Sequence, residues 1–214
     1  MAPPTLQIVK VCGITQPADA LSAARAGATA IGLIFYPRSP RAVTMQQAAL
    51  VAAVTPRSVL RVGVFVNETP ETIRALVEAA QLDIVQLHGD ETPDFCAELH
   101  DLRLWKALPV TEKFDPASVS VYPVEAVLLD TPAGDRYGGA GRTFPWAQAA
   151  AAREYKKVIV AGGLDGSNVA EAVRQAAPWG VDASSKLEAR PGVKDAEKIR
   201  DYVDQARRAA GWSS

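Results

Sequence analysis

Residues 6–35 read LQIVKVCGITQPADALSAARAGATAIGLIF, and this stretch contains the repeating unit of the fold. Leu6–Val11 and Ala30–Phe35 are short runs that are apolar at most positions, as in strands of a parallel sheet covered on both faces. Between them, the alanine-rich segment Pro17–Ala26 predicts a helix, with Thr15 as its N-cap residue and a glycine directly after its end. The stretch therefore predicts a strand–helix–strand unit.

Similar units recur along the chain at intervals of roughly 20–30 residues, which is the spacing of strand–helix units. Residues 70–80 carry an apolar stripe at helical spacing, and a second such stripe follows Ser167, a favourable N-cap residue. Glu112–Ser120 gives the weakest helix signal, because Pro116 interrupts it, so we expect a short or irregular element there. The six remaining strand runs are Leu60–Val66, Ile84–Leu87, Leu102–Ala107, Ala126–Leu129, Val158–Ala161 and Gly180–Asp182.

No Pro/Gly/Ser-rich linker or charge block divides these units, so we expect residues 1–214 to form a single domain. Eight strand–helix units in one domain predict a closed (β/α)₈ TIM barrel of the α/β class. A doubly wound open sheet is the alternative. It is disfavoured because Cys12-Gly13-Ile14-Thr15, and no G-x-G-x-x-G, follows the first strand.

Composition narrows the class of protein. The chain has 23 Lys+Arg against 24 Asp+Glu, a net charge of −1 that disfavours nucleic acid as a partner. The hydrophobic fraction of 48% excludes a disordered chain, and no apolar run is long enough to cross a membrane. The start lacks the features of a signal peptide, and two cysteines are too few for a disulfide framework. We therefore expect a cytoplasmic globular protein.

The carboxyl ends of the strands carry the candidate catalytic groups, because barrel enzymes place their chemistry there. Cys12 follows the first strand and Asp130 the sixth, so a thiol and a carboxyl group are expected to face one mouth. Each can exchange a proton, and burial can move its pKa toward neutrality. The alternatives are a small buried hydrophobic residue for Cys12 and a turn or N-cap carboxylate for Asp130. Cys96 lies in a helical segment, where we expect only a packing role.

Two further strand ends predict a phosphate site. Glycines let backbone N–H groups approach an anion, hydroxyl groups add donors, and barrels often bind phosphate between their last two loops. The candidate residues are Gly162 and Gly163 after the seventh strand, and Asp182, Ser184 and Ser185 at the end of the eighth.

For other charged residues near strand ends, the sequence gives weaker indications of a role in the site. Arg38 and Arg41 follow the second strand, where a guanidinium group could bind a carboxylate. We expect His88 to be a hydrogen-bonded structural residue, and Lys106 to form a salt bridge or hydrogen bond in preference to a Schiff base. The loop Gly134–Gly141 is long and rich in glycine, as in mobile lids.

Taken together, the strand ends resemble those of the phosphoribosylanthranilate isomerases, the barrel enzymes of tryptophan biosynthesis. The resemblance covers nearly the whole chain, and so many motifs in order make it specific. The motifs are KVCGIT at 10–15, FYPRSPR at 35–41, VGVFVN at 62–67, VQLHG at 85–89, LLD at 128–130, GGAGRTF at 138–144, GGL at 162–164 and VDASS at 181–185.

This resemblance implies an Amadori rearrangement of N-(5-phosphoribosyl)anthranilate to 1-(2-carboxyphenylamino)-1-deoxyribulose 5-phosphate. Asp130 matches the family's general acid, Cys12 its general base and Arg41 the residue that binds the anthranilate carboxylate. Residues 162–163 and 184–185 fall in its phosphate-binding loops. No cofactor and no metal are implied, the partner is the small sugar-phosphate substrate, and both a monomer and a homodimer remain open.

The chain departs from the family at Lys186-Leu187-Glu188, where glycine and valine usually precede the glutamate. Three rival functions are disfavoured. Histidine-pathway barrel isomerases use an aspartate where Cys12 stands. A metal-dependent epimerase would need histidine ligands, and this chain has 2 histidines. A barrel that only binds phosphate ligands would need neither Cys12 nor Asp130.

Overall fold

The computed structural model describes residues 6–132 and 143–212. Its parallel strands β1 to β8 close into a barrel in chain order, because β1 pairs with both β2 and β8. The predicted (β/α)₈ barrel is confirmed and the open sheet is excluded. The strands are β1 Ile8–Cys12, β2 Ala30–Ile34, β3 Leu60–Phe65, β4 Ile84–Leu87, β5 Leu104–Pro109, β6 Ala126–Asp130, β7 Lys157–Val160 and β8 Gly180–Ala183.

Helices surround this barrel, and a small hairpin follows its last strand. The helices are α1 Pro17–Ala26, α2 Met45–Val54, α3 Pro70–Ala79, α4 Pro93–Glu98, α5 Trp146–Ala152, α6 Val169–Ala176 and α7 Ala196–Ala209. The weak fifth segment is a 3₁₀ helix, Pro116–Val121, as its proline predicted. A second 3₁₀ helix, Ser185–Leu187, leads into the antiparallel strands β9 Glu188–Arg190 and β10 Val193–Lys194. No helix in the described ranges is long and apolar enough to span a membrane.

The core has two layers, because successive side chains of a strand point to opposite faces. One apolar cluster packs strands against helices, and it contains Val9, Val85 and Leu129. The other fills the barrel interior and contains Ile8, Ile84 and Leu128. Polar residues two or four positions after these interior residues share their face. By this alternation Lys10, Cys12, Gln86, His88 and Asp130 point into the barrel.

Two predicted N-caps are wrong. Gln16 occupies the N-cap position of α1, and the Thr15 hydroxyl donates instead to the Gly192 carbonyl of the β9–β10 turn. Asn168 occupies the N-cap position of α6, and the Ser167 hydroxyl donates to Asp165. In both cases the hydroxyl group finds a partner outside the helix, which local preference cannot anticipate. Two predicted strand starts are also too early, because β1 begins after Leu6 and β5 begins after Leu102.

Candidate active site

Cys12 is the last residue of β1 and is buried, with 5% of its surface exposed. Its partner in the β1–β2 register is Gly32, and a Cβ atom built there would lie 2.5 Å from the Cys12 Sγ. Glycine at that position therefore leaves room for the sulfur. The Ser184 hydroxyl donates to the Cys12 carbonyl at 3.1 Å, which ties the end of β1 to the loop after β8.

A buried ion pair lies beneath the thiol. Lys10, two residues before Cys12 and fully buried, faces its register partner Asp182 on β8. The Lys10 Nζ and Asp182 Oδ1 are 3.0 Å apart, although they are not aligned for a hydrogen bond. Sequence reasoning did not identify Lys10 as a site residue. The available signal was a lysine two positions before the candidate base in an otherwise apolar strand.

This pair and the thiol perturb one another. Burial raises the pKa of the Cys12 thiol, so the expected shift toward neutrality is wrong for this group, because burial penalises the charged thiolate. The charge of Lys10 opposes the rise, and Asp182 adds to it. Burial also raises the pKa of Asp182, again against the effect of Lys10. For Lys10 burial acts in the lowering direction, but the charges of Asp182 and Cys12 outweigh it and raise the pKa. Lys10 is thus the main group that favours a thiolate at Cys12.

Asp130 ends β6, and its side chain is 13% exposed. Its Oδ1 accepts a hydrogen bond of 2.7 Å from the Thr131 backbone N–H. The loop after β7 lies directly against this carboxyl group, because a Cβ atom at Gly162 would come within 3.1 Å of the same oxygen and would overlap Thr131. Gly162, at a φ of 83°, is therefore required both by its backbone conformation and by space.

His88 approaches the other oxygen of Asp130, with 3.5 Å between its Nε2 and Asp130 Oδ2. Its Nδ1 is 2.8 Å from the Gln86 side-chain nitrogen. The expectation that His88 is a hydrogen-bonded residue is confirmed. Sequence reasoning missed Gln86, and it did not predict the contact between His88 and Asp130.

The predicted phosphate residues lie around one cleft at the carboxyl ends of β6, β7 and β8. Gly162 and Gly163 both have positive φ angles, 83° and 63°, which orient the loop after β7. The 3₁₀ helix Ser185–Leu187 begins on the opposite wall. The cleft is lined by Asp130, Ala161, Gly162, Gly163, Leu164, Asp182, Ala183, Ser184, Ser185 and Lys186.

Arg41 is held in place by a partner that sequence reasoning did not assign. Its Nε and Nη2 bind the two carboxylate oxygens of Glu188 at 2.7 and 2.8 Å. Glu188 Oε1 also accepts from the buried Lys194 Nζ at 3.1 Å. Burial acts to raise the pKa of Glu188, but Arg41 and Lys194 outweigh it and lower the pKa. Arg38 is exposed.

Two other candidates have structural roles. The Lys106 Nζ is 2.9 Å from Glu91 Oε2 and donates to the Gly89 carbonyl at 2.7 Å, so the expected salt bridge is confirmed. Cys96 is fully buried in α4, and burial raises the pKa of its thiol to about 11, in agreement with a packing role. The candidate lid Gly134–Gly141 lies outside the described residues. Within residues 6–132 and 143–212, no three His, Cys, Asp or Glu side chains form a metal-type cluster.

A closed parallel barrel with a thiol, a carboxyl group and a glycine-lined cleft at the carboxyl ends of its strands defines the class of (β/α)₈-barrel enzymes. Comparison with known proteins identifies the family within this class. The family model of N-(5'-phosphoribosyl)anthranilate (PRA) isomerase matches residues 9–205, and the chain belongs to that family. Membership confirms the predicted activity, that of an isomerase in tryptophan biosynthesis.

Individual relatives agree with this assignment. The N-(5'-phosphoribosyl)anthranilate isomerase of Solibacter usitatus (strain Ellin6076) is 52% identical over 205 residues, 95% of this chain and 99% of the relative. A phosphoribosyl anthranilate isomerase in complex with reduced 1-(o-carboxyphenylamino)-1-deoxyribulose 5-phosphate superposes with a TM-score of 0.84, at 34% identity over 95% of this chain and 100% of that one. Monomers made from the dimeric enzyme of Thermotoga maritima give a TM-score of 0.83 at 35% identity, with coverage of 95% and 100%.

Proposed function

We propose that this enzyme converts N-(5-phosphoribosyl)anthranilate to 1-(2-carboxyphenylamino)-1-deoxyribulose 5-phosphate with Asp130 as general acid and Cys12 as general base. The observation that supports the proposal is that both groups end strands of one barrel and point into it, on either side of Asp182 on β8 and Ser184 in the loop after β8. Ser184 contacts Cys12 and lines the same cleft as Asp130. The described lining of this cleft does not include Cys12, so we infer that a single small sugar extends from the cleft past Ser184 to the thiol.

The proposed reaction needs one proton delivered and one removed. Asp130 protonates the furanose ring oxygen as the bond from that oxygen to C1′ breaks, which yields a Schiff base with the anthranilate nitrogen. The Cys12 thiolate then removes the proton from C2′, and the electron pair moves to form an enolamine. Tautomerisation of the enolamine gives the ketone, so the product is an isomer of the substrate. Each acid–base group supplies about 10²–10⁴-fold in rate.

Two anionic ends of the substrate need separate anchors. We place the phosphate against the backbone N–H groups and hydroxyls of Gly162, Gly163, Ser184 and Ser185. Asp182 would repel a phosphate, so we assign its carboxylate, which lines the cleft, to a sugar hydroxyl. Arg41 uses Nε and Nη2 for Glu188, which leaves Nη1 for the anthranilate carboxylate. Glu188 thus orients the guanidinium group before substrate arrives.

The direct test generates phosphoribosylanthranilate in situ and follows the loss of its fluorescence after the purified protein is added. We expect rapid, saturable loss that depends on protein concentration. Rescue of a tryptophan auxotroph that lacks this step is the cellular counterpart. A purified, folded protein that leaves the fluorescence unchanged would contradict the proposal.

We further propose that residues 1–214 form one barrel domain, that the protein acts in the cytoplasm, and that its only substrate partner is the sugar phosphate. The cytoplasmic assignment is supported by both cysteines being free thiols, as expected in a reducing compartment. Both a monomer and a homodimer are compatible with this function, and sedimentation equilibrium distinguishes them.

A further inference from the structure

Gln86 is a polar residue in the barrel interior, where its neighbours on the same strand and the adjacent strands are mostly apolar. It is fully buried on β4, and among the described residues its Oε1 has no hydrogen-bond partner. An unpaired buried amide oxygen destabilises the folded state, because it loses its hydrogen bonds to water and gains none in return. Retaining such a group at the centre of a core therefore calls for a functional explanation.

The contact made by Gln86 indicates what that function is. Its side-chain nitrogen lies 2.8 Å from Nδ1 of His88, two residues along the same strand. An amide nitrogen only donates, so Nδ1 must accept and carry no proton. A neutral imidazole then has its proton on Nε2, and Nε2 faces Asp130 Oδ2 at 3.5 Å.

We propose that Gln86 fixes the Nε2–H tautomer of His88, and that His88 thereby positions Asp130 for proton delivery. The proposal rests on the assignment of Asp130 as general acid. The Thr131 N–H binds Oδ1 of Asp130, and the His88 Nε2–H approaches Oδ2 at 3.5 Å, just outside hydrogen-bond geometry. The two donors set the plane of the carboxyl group, and catalytic contacts of this kind shorten when substrate binds.

A neutral imidazole ring at His88 is compatible with an acid role for Asp130. The charged groups around His88 are Asp130 on β6 and the ion pair of Lys10 on β1 with Asp182 on β8. An imidazolium beside Asp130 would hold the carboxylate in its ionised form and oppose its role as an acid. The Gln86 donor needs the lone pair of Nδ1, which an imidazolium does not have. The reverse amide orientation would instead direct the lone pair of Nε2 at the carboxylate.

The first test is a ¹⁵N spectrum of histidine-labelled protein, which reports the protonation of each ring nitrogen. The chain has 2 histidines, so His100→Gln leaves His88 as the single signal. His100 is exposed and contacts the Ala97 carbonyl, away from the cleft, so this variant serves as the reference. We expect an unprotonated Nδ1 and a protonated Nε2 near neutral pH. A protonated Nδ1 would overturn the proposal.

The second test is kinetic. Gln86→Met removes the donor at similar volume, and we expect kcat to fall about 10-fold to 100-fold, the scale of small displacements of catalytic groups, with KM nearly unchanged. The melting temperature should not fall, because an unpaired buried amide is removed. A loss of stability with unchanged kcat would show a merely structural role and overturn the proposal.

Matched variants test whether Gln86 acts through His88. His88→Leu removes the donor to Asp130, and His88→Gln retains one at a similar reach, so we expect His88→Gln to recover part of the lost kcat. Gln86→Met should cause no further loss in the His88→Leu background. Additive losses would contradict the proposal. Asp130→Asn separates the two assignments: near-normal turnover in that variant refutes the acid role, whereas the tautomer spectrum stands independently.

Discussion

At the scale of single residues, the candidate base and acid are built in different ways. Burial raises the pKa of Cys12, and the ion pair beneath it modifies that shift, whereas Asp130 lies at a partly exposed strand end, accepts a hydrogen bond from the Thr131 N–H and is approached by His88. We therefore expect nearby charges to change the pKa of the thiol, and the contacts of the carboxyl group to determine its orientation. This difference leads to separate tests.

The first prediction concerns the two groups themselves. Cys12→Ala and Asp130→Asn should each lower kcat by at least about 10²–10⁴-fold, because each removes one proton-transfer group. Neither removes a predicted phosphate or carboxylate anchor, so binding of a reduced product analogue should remain close to that of the unaltered enzyme. Stopped-flow fluorescence measures turnover, and calorimetric titration measures binding. Near-normal rates in both variants would discard the acid–base assignment.

The second prediction concerns the ion pair beneath Cys12. In the proposed mechanism the base is the Cys12 thiolate, so kcat should increase as pH rises through the thiol pKa. Lys10 opposes the raised pKa of Cys12 and Asp182 adds to it. Lys10→Met should therefore move this limb of the pH–rate profile to higher pH, and Asp182→Asn should move it to lower pH.

Stability provides the control for these two variants. Each single change leaves an unpaired buried charge, which costs about 3–5 kcal/mol. The double variant removes both charges and should recover most of that free energy of unfolding. If the pH–rate profiles of the two single variants shifted in the same direction, this would contradict the proposed electrostatic effect on Cys12.

At the scale of secondary-structure elements, the site depends on strand register and on the hairpin β9–β10. Parallel pairing sets Cys12 opposite Gly32 and Lys10 opposite Asp182. The hairpin supplies Lys194 and Glu188, and Glu188 holds Arg41 from the loop after β2. A two-stranded element outside the barrel thus organises a predicted substrate contact.

The third prediction tests the β1–β2 register. Gly32→Ala places a methyl group 2.5 Å from the Cys12 Sγ, so the sulfur or the strand must move. Overpacking of this kind costs about 1–3 kcal/mol, and a displaced base should lower kcat more than it raises KM. Denaturant titration and steady-state kinetics measure the two effects. Gly211→Ala is the matched control, since no atom lies within 4 Å of a Cβ there, although its positive φ adds some strain. Unchanged kcat in Gly32→Ala would contradict the prediction.

The fourth prediction tests the hairpin. Glu188→Gln removes the carboxylate that binds Arg41 and the buried Lys194, so we expect a loss of about 3 kcal/mol in the free energy of unfolding at pH 7 and a higher KM. The pKa of Glu188 is lowered in the folded state, so its contribution is present above the unfolded value and is lost as pH falls through the folded one.

Chemical denaturation at a series of pH values checks the direction of this pH dependence. The difference between Glu188→Gln and the unaltered enzyme should shrink as pH falls below about 4.5, the ordinary pKa of a glutamate. Glu171→Gln, whose carboxylate pairs with Arg174 on the exposed face of α6, is the matched control and should change stability little. A difference for Glu188→Gln that is independent of pH would contradict the assignment.

At the scale of the whole molecule, closure of the barrel brings the site together. The pairing of β1 with β8 joins the two ends of the barrel sheet, and it places Lys10 beside Asp182 and Cys12 beside Ser184. These contacts join residues that are more than 170 positions apart in sequence. In an open sheet, β1 and β8 would not be required to meet.

The sequence by itself determined the order and type of the elements and the strand ends that carry the candidate catalytic groups. Apolar periodicity, the proline of the fifth segment and the glycine after α1 are local features, and they act within a few residues of the positions they control. The same reasoning placed Cys12, Asp130 and the 162–163 and 184–185 segments at strand ends, because parallel strands in a barrel end at one mouth.

Only the tertiary structure decided which of these groups interact. Three contacts of the site join different strands or loops: Lys10 with Asp182, Glu188 with Arg41, and His88 with Asp130. The hydroxyls of Thr15 and Ser167 likewise bind partners outside the helices that they were predicted to cap. Such contacts depend on strand register and on closure of the barrel, which are set by the packing of the entire barrel. Their energies come from burial and from charged groups that are far apart in sequence, so they cannot be read from a local sequence pattern.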